Sequence, residues 1–211
     1  VGKRRQSRVR AVLAAFALGA AVGGTAYAAV HDAAPGELGA APRAWPSDTS
    51  LAAPLERPVL LVFVHPRCPC TRATMTELAR LAPRLDGRVD VRVAAYRPAS
   101  SSSDWAEGRV LDVARSLRDV ALIDDVAGTE ARRFDALTSG TALLYSARGE
   151  LLFRGGITPG RGHEGDSAGG DAIVRLAGAE RHGGGGVVEA RVFGCSLRDR
   201  TAGGGGIWGW N

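Results

Sequence analysis

The run Val59-Leu60-Leu61-Val62-Phe63-Val64-His65-Pro66-Arg67-Cys68-Pro69-Cys70-Thr71-Arg72 decides the fold. Its first six residues are apolar and mostly branched, as a strand covered on both faces requires, because neither side of the pleat meets water. From Thr71 to Leu85 the apolar residues Met75, Leu78, Leu81 and Leu85 recur at helical spacing, and Pro83 and Gly87 mark the end of that stripe. Two thiols therefore fall in the turn between a buried strand and a helix start. Unpaired backbone N–H groups and the positive end of the helix dipole lie there, and Arg67 and Arg72 add charge of the same sign, all favouring thiolate at Cys68. Cys68 and Cys70 are thus candidate reactive thiols; the competing reading, a pair of inert buried cysteines, fits a Pro-Arg-Cys-Pro-Cys turn less well.

Working outward, residues 89–96 alternate with Val89, Val91, Val93 and Ala95 on one face, the pattern of a second strand. Residues 104–117 place Val110, Val113, Ala114 and Leu117 at helical spacing, 120–123 read as a third strand and 130–137 as a short helix. Thr141 to Tyr145, the turn Ala147-Arg148-Gly149 and Leu151 to Phe153 form a hairpin, and 171–179 supply a closing helix. This order predicts an α/β domain over 58–182 in which parallel strands are followed by an antiparallel pair.

The flanks are of a different character. Apolar residues make up 45% and charged residues 23% of the 211, a composition suited to one globular domain with appendages. Lys3 is the only lysine and most arginines are dispersed, which argues against a nucleic-acid stripe. The one dense basic cluster, in residues 1–10, precedes an uncharged stretch at 11–30 that is long enough to cross a bilayer as a single helix. The basic flank then stays cytoplasmic and all that follows is extracytoplasmic, periplasmic in a bacterium, where disulfides persist. Ala26-Tyr27-Ala28 also fits a signal-peptidase site, so secretion after cleavage is the alternative. Residues 31–57, interrupted by prolines, read as a linker whose Trp45 docks on the domain. Residues 183–211 read as a glycine-rich tail, in which 187–193 either add an edge strand that brings Cys195 to the domain or hang free.

A strand ending in cysteines at a helix start, with a late hairpin and helix, resembles the thioredoxin fold. The segments His65-Pro66-Arg67-Cys68-Pro69-Cys70-Thr71-Arg72, Thr138-Ser139-Gly140, Gly155-Gly156-Ile157 and Arg161-Gly162-His163-Glu164-Gly165-Asp166 resemble in particular the membrane-tethered, RedB-like thioredoxin-like proteins, over roughly residues 45–197. The resemblance implies a central mixed sheet flanked by helices and preceded by one N-terminal transmembrane helix. It also exposes two departures from ordinary thioredoxins. Thr71 occupies the place of the second cysteine, with Cys70 at the proline's, and Gly140 stands where thioredoxins carry a cis-proline lining the substrate groove.

Thiol-disulfide exchange with protein thiols and disulfides is the leading expectation and needs no cofactor. Cys68 attacks, and Cys70 or Cys195 resolves. A Cys68–Cys70 disulfide would require a distorted turn, whereas Cys195 is free to resolve a mixed disulfide or to bridge to Cys70. The loop 155–166 returns to the sheet edge that delivers Cys68, so His163 is a candidate proton donor to a leaving thiolate, with Glu164 or Asp166 to orient it. The set Cys68, Cys70, Cys195 and His163 also supports a binding reading, as soft ligands for Cu(I) or Zn(II) in a metallochaperone. A one-cysteine peroxidase lacks its Pro-x-x-x-Thr-x-x-Cys run here, and a non-catalytic module would tolerate loss of Cys68.

Overall fold

The structure, a computed structural model, describes residues 2–54, 56–102, 105, 109–179 and 186–197, and the chain divides into two compact units, Val1–Ala34 and Pro35–Asn211. The first unit is one helix, α1 (Gly2–Ala33), continuous through both the basic flank and the apolar stretch. Its segment Val12–Ala33, with mean hydropathy 1.7, is long and apolar enough to cross a membrane. Phe16 is 77% exposed and Leu18 67% exposed, so the helix covers none of its own apolar surface. In water each such side chain forgoes about 1.5–3 kcal/mol of burial, which a bilayer would restore.

The second unit is built on a six-stranded sheet in the order β3-β2-β1-β4-β5-β6. Its strands are β1 (Val59–Val64), β2 (Asp90–Arg97), β3 (Val120–Val126), β4 (Thr141–Tyr145), β5 (Leu151–Gly155) and β6 (Val188–Glu189). The helices are α2 (Thr71–Leu85), α3 (Arg109–Ser116), α4 (Thr129–Arg133) and α5 (Ala168–Ala179). Strand β1 lies at the centre, parallel to β2 with Val62 opposite Val93, and antiparallel to β4 with Val62 opposite Ala142. On one face Leu60, Val62 and Val64 pack with Met75, Leu78 and Leu81 of α2 and Ile173 of α5. On the other face Leu61 and Phe63 pack with Phe134, Leu143 and Tyr145. Two covered faces are the physical reason the strand is apolar at every position. Parallel β3-β2-β1 followed by the antiparallel pair β4-β5, with helices on both sides, is the thioredoxin-like fold.

Two element ends depart from the sequence pattern. Strand β3 runs on to Val126 because its pairing with β2 continues to Arg97, whose guanidinium holds Asp124 at 2.7 Å. Helix α4 stops at Arg133, short of Leu137, since Asp135 takes a positive φ of 50° and turns the chain back toward β4. The first part of the expected 104–117 helix lies outside the described residues, apart from Trp105.

Residues 35–54 are no open spacer. Trp45 packs edge-on to Phe134 and Tyr145, its backbone N–H donates to the Gly149 carbonyl at 2.8 Å, and Tyr145 Oη donates to the Pro42 carbonyl at 2.9 Å. Aromatic contacts and main-chain bonds together make this stretch a part of the domain, despite its prolines.

That attachment is sealed by two carboxylates. Asp125 caps α4, accepting from the Glu130 N–H at 2.8 Å and the Ala131 N–H at 3.0 Å. Glu130, only 4% exposed, accepts from Thr49, from Ser50 Oγ at 2.8 Å and from Arg133 at 2.6 Å. Burial pushes the Glu130 pKa up, but the hydrogen bonds from Thr49, Ser50 and Arg133 outweigh it and hold the carboxylate below its ordinary 4.5. The stability it contributes is therefore present above pH 4.5 and is lost as the pH falls through the lower folded-state value. Urea titration should find Glu130→Gln less stable than the parent by about 1–3 kcal/mol at neutral pH, with the gap closing in acid. Burial shifts Asp125 the opposite way, and because the Glu130 charge adds to that rise, Glu130→Gln also relieves part of it, which offsets some of the loss at neutral pH.

Candidate functional site

Strand β1 ends in a tight turn: the Cys68 N–H donates to the His65 carbonyl at 2.9 Å, and the Thr71 N–H to the Cys68 carbonyl at 3.0 Å. The first turn of α2 then begins from Cys70, its N-cap residue, which makes no side-chain capping bond. Cys68 comes to rest buried, 5% exposed, under the end of the sheet.

The thiol that meets Cys68 is Cys195, from the C-terminal segment, with the two sulfurs 2.8 Å apart. Cys195 is exposed and Cys70 half-buried, near enough to influence both titrations. Residues leading to Cys195 are fixed along β5: the Ala190 N–H donates to the Arg154 carbonyl at 3.1 Å, and the Gly156 N–H to the Arg191 carbonyl at 3.2 Å. Beyond them the chain pairs antiparallel with the residues before β4. The Ser139 N–H donates to the Cys195 carbonyl and the Leu197 N–H to the Leu137 carbonyl, each at 2.8 Å. Val192 is fully buried and Phe193 is 7% exposed, so the tail is docked as far as Leu197. Its remainder, including Ile207 to Trp210, lies outside the described residues.

Ser139 joins the three strands of this geometry. Its hydroxyl oxygen accepts from the His65 N–H at 2.9 Å and lies 3.1 Å from Thr71 Oγ1, which itself donates to the His65 carbonyl at 2.8 Å. Thr71, in the place of a second cysteine, thus serves as a hydrogen-bonding brace. Gly140 follows with φ of +96°, a conformation that a side chain resists, and its N–H donates to the Phe63 carbonyl at 2.7 Å.

Hydrogen bonding separates the thiols. The bond from Cys195 and then the interaction with Cys70 pull the Cys68 pKa well below that of an ordinary thiol, against the opposing effect of burial. The same contacts push Cys195 far up, with the bond to Cys68 first among them. For Cys70 the hydrogen bond from Cys195 lowers the pKa, but the interactions with Cys68 and burial outweigh it, and the net shift is upward. These directions mark Cys68 as the thiol of the three that ionises most readily.

The charged groups differ from those expected. Arg67 sits over the Trp105 ring, 4.5 Å from its centroid, and His65 stacks on Tyr96 with centroids 5.1 Å apart, so this corner is an aromatic brace beside the turn. The arginine that acts on the thiols is Arg161, whose charge lowers the Cys70 pKa and whose guanidinium donates to the Gly194 carbonyl. From the same loop, His163 is exposed, its N–H bonded to the Gly160 carbonyl at 3.3 Å. Glu164 pairs with Arg80 at 3.5 Å, alongside the second turn of α2. Among the described residues no group of three or more His, Cys, Asp or Glu side chains is placed to hold a metal ion. Residue type and spacing marked His163, whereas Ser139 and Arg161 escaped notice as site residues although both fall in the segments that carried the resemblance. Their roles depend on main-chain contacts that no local pattern encodes.

No family model matches the chain, and no curated protein matches it. Among solved structures it is similar to an uncharacterized conserved protein from Geobacillus kaustophilus, at 15% identity and TM-score 0.55 over 81% of this chain and 95% of that one. It is also similar to a hypothetical protein from Sinorhizobium meliloti 1021, at 19% identity and TM-score 0.57 over 81% of this chain and 96% of that one. A looser match, at 17% identity and TM-score 0.43 over 60% of this chain and 84% of that one, is a secreted Mycobacterium tuberculosis disulfide oxidoreductase homologous to E. coli DsbE. At such identities likeness speaks to fold alone, and it is the sheet order that places the chain among thioredoxin-like folds.

Two outcomes test this geometry. Replacing Cys195 by Ala removes the leading donor to Cys68, so the thiolate absorbance assigned to Cys68, with Cys68→Ala as blank, should titrate at higher pH than in the parent. Ser139→Ala leaves the His65 N–H without its acceptor and should lower the unfolding free energy by about 1–3 kcal/mol in denaturant titration.

Proposed function

We propose that the protein is a membrane-tethered, extracytoplasmic thiol-disulfide oxidoreductase of the RedB-like kind, exchanging electrons with protein thiols and disulfides through Cys68 and Cys195. The observation that carries the proposal is the 2.8 Å contact between a buried sulfur held as thiolate and a protonated one. In the reducing direction, Cys68 thiolate attacks one sulfur of a partner's disulfide; that S–S bond breaks, a mixed disulfide forms, and the partner's second sulfur leaves as thiolate. Cys195 or Cys70 then gives up its proton to solvent and attacks Cys68 Sγ, which expels the partner's first sulfur as thiolate. Two electrons pass to the partner, and an intramolecular disulfide remains. The opposite direction runs through the same bonds. The exposed apolar surface of α1 supports the tether, and a compartment outside the cytoplasm would let the disulfide persist.

Copper delivery would draw on the same sulfurs, but the donor geometry gives it less support than the paired thiols give exchange. The test is thiol trapping of the full chain in detergent across glutathione buffers, followed by peptide mapping. A Cys68–Cys195 disulfide should accumulate on oxidation, survive Cys70→Ala and vanish in Cys68→Ala. Three thiols that stay alkylatable in every buffer, or exchange that persists without Cys68, would overturn the proposal.

A further inference from the structure

The site has an inverted accessibility. Cys68, the thiolate, is 5% exposed, whereas the exposed thiol, Cys195, is held protonated. A partner's sulfur therefore reaches Cys68 only where Cys195 now lies. What holds Cys195 there is short and mostly main chain: the bonds Ser139 N–H to Cys195 and Leu197 N–H to Leu137, with Arg161 donating to the Gly194 carbonyl. Upstream, the pairing along β5 and buried Val192 keep the tail attached, so among the described residues Gly194–Leu197 are the ones that have to leave. That opening gives up these hydrogen bonds and the burial of Leu197, a local and not a global unfolding.

We propose that Gly194–Leu197 is an internal occupant of a docking edge formed by Leu137–Ser139, and that the partner's reacting cysteine arrives on an extended Gly-Cys-x-apolar segment that takes its place. The inference rests on the thiol-exchange function and names the substrate class for it. Main-chain pairing asks only for an extended chain, which any partner segment supplies. Selectivity comes from two positions. A Cβ on Gly194 would stand 1.9 Å from the Ser139 carbonyl oxygen, so the residue before the reacting cysteine has to be glycine. Two residues after the cysteine, Leu197 is 7% exposed and joins the apolar cluster around Phe63 and Phe134, which asks for an apolar side chain. Ser196, between them, is exposed and lies opposite Thr138 in the antiparallel pairing.

The probe is the octapeptide Ala-Arg-Val-Phe-Gly-Cys-Ser-Leu with its cysteine as a mixed disulfide to thionitrobenzoate, compared with the same peptide carrying Val for Gly. Cys68 thiolate attacks the peptide sulfur, the protein–peptide disulfide forms, and thionitrobenzoate leaves as a coloured thiolate that reads the rate. The full chain is used with Cys195→Ser, and with Gly194→Val added to unseat the four residues; mapping identifies the modified cysteine. In the unseated variant the Gly peptide should modify Cys68 about tenfold faster than the Val peptide, as loss of one or two main-chain hydrogen bonds predicts. With Cys195→Ser alone, where the tail still competes, the same preference should hold at lower rates, and this arm stands even if Gly194→Val fails to fold. Equal rates for the two peptides would overturn the inference while leaving thiol exchange intact, provided Cys68 still reacts with the small disulfide 5,5′-dithiobis-nitrobenzoate. A Cys68 inert to that reagent as well would overturn both.

Discussion

A single buried serine holds the site together. Ser139 takes the His65 N–H at the end of β1, meets the Thr71 hydroxyl at the start of α2 and, through its own N–H, carries the carbonyl of Cys195. The turn from His65 to Thr71 and the distant segment that carries Cys195 are thereby held at one point. Because the residue is 1% exposed, a lost bond there is not replaced by water, and the geometry of all three thiols depends on it.

The same arrangement explains the replacement of a second helix-start cysteine by Thr71. With the thiol that faces Cys68 supplied from the tail, the helix position carries a hydroxyl that donates to the His65 carbonyl and braces the turn. Rigidity and charge separation then act together. Cys195 and Cys70 stay protonated because Cys68 is not, so one negative charge is shared by three sulfurs without the cost of a second. The consequence for exchange is that reactivity and exposure lie on different residues, which couples chemistry to movement of the tail.

Much of the fold was legible because burial writes itself into residue choice. Val59 to Val64 are apolar throughout since β1 is covered by helices on one face and by Phe134 and Tyr145 on the other, and the stripe of α2 follows from packing against that same strand. Less legible were the attachments made by main chain. Residues 35–54 carry six prolines and glycines yet pack on the domain, because carbonyls and amides can bond without leaving a side-chain pattern. The placement of the 155–166 loop has a related cause: topology brings it to the sheet edge that carries the thiols, and the Gly194 carbonyl fixes Arg161 there.

By itself, then, the sequence determined the strand-to-helix turn that carries Cys68 and Cys70, the α/β order around it and the apolar helix ahead of it, all consequences of local periodicity and of the preference of apolar groups to leave water. Tertiary structure alone decided that Cys195 is the thiol facing Cys68, that Thr71 braces rather than reacts, and that Arg161 supplies the charge. These are contacts between segments separated by up to 127 residues, held in place by bonds to backbone groups that every residue type shares, and composition holds no record of them.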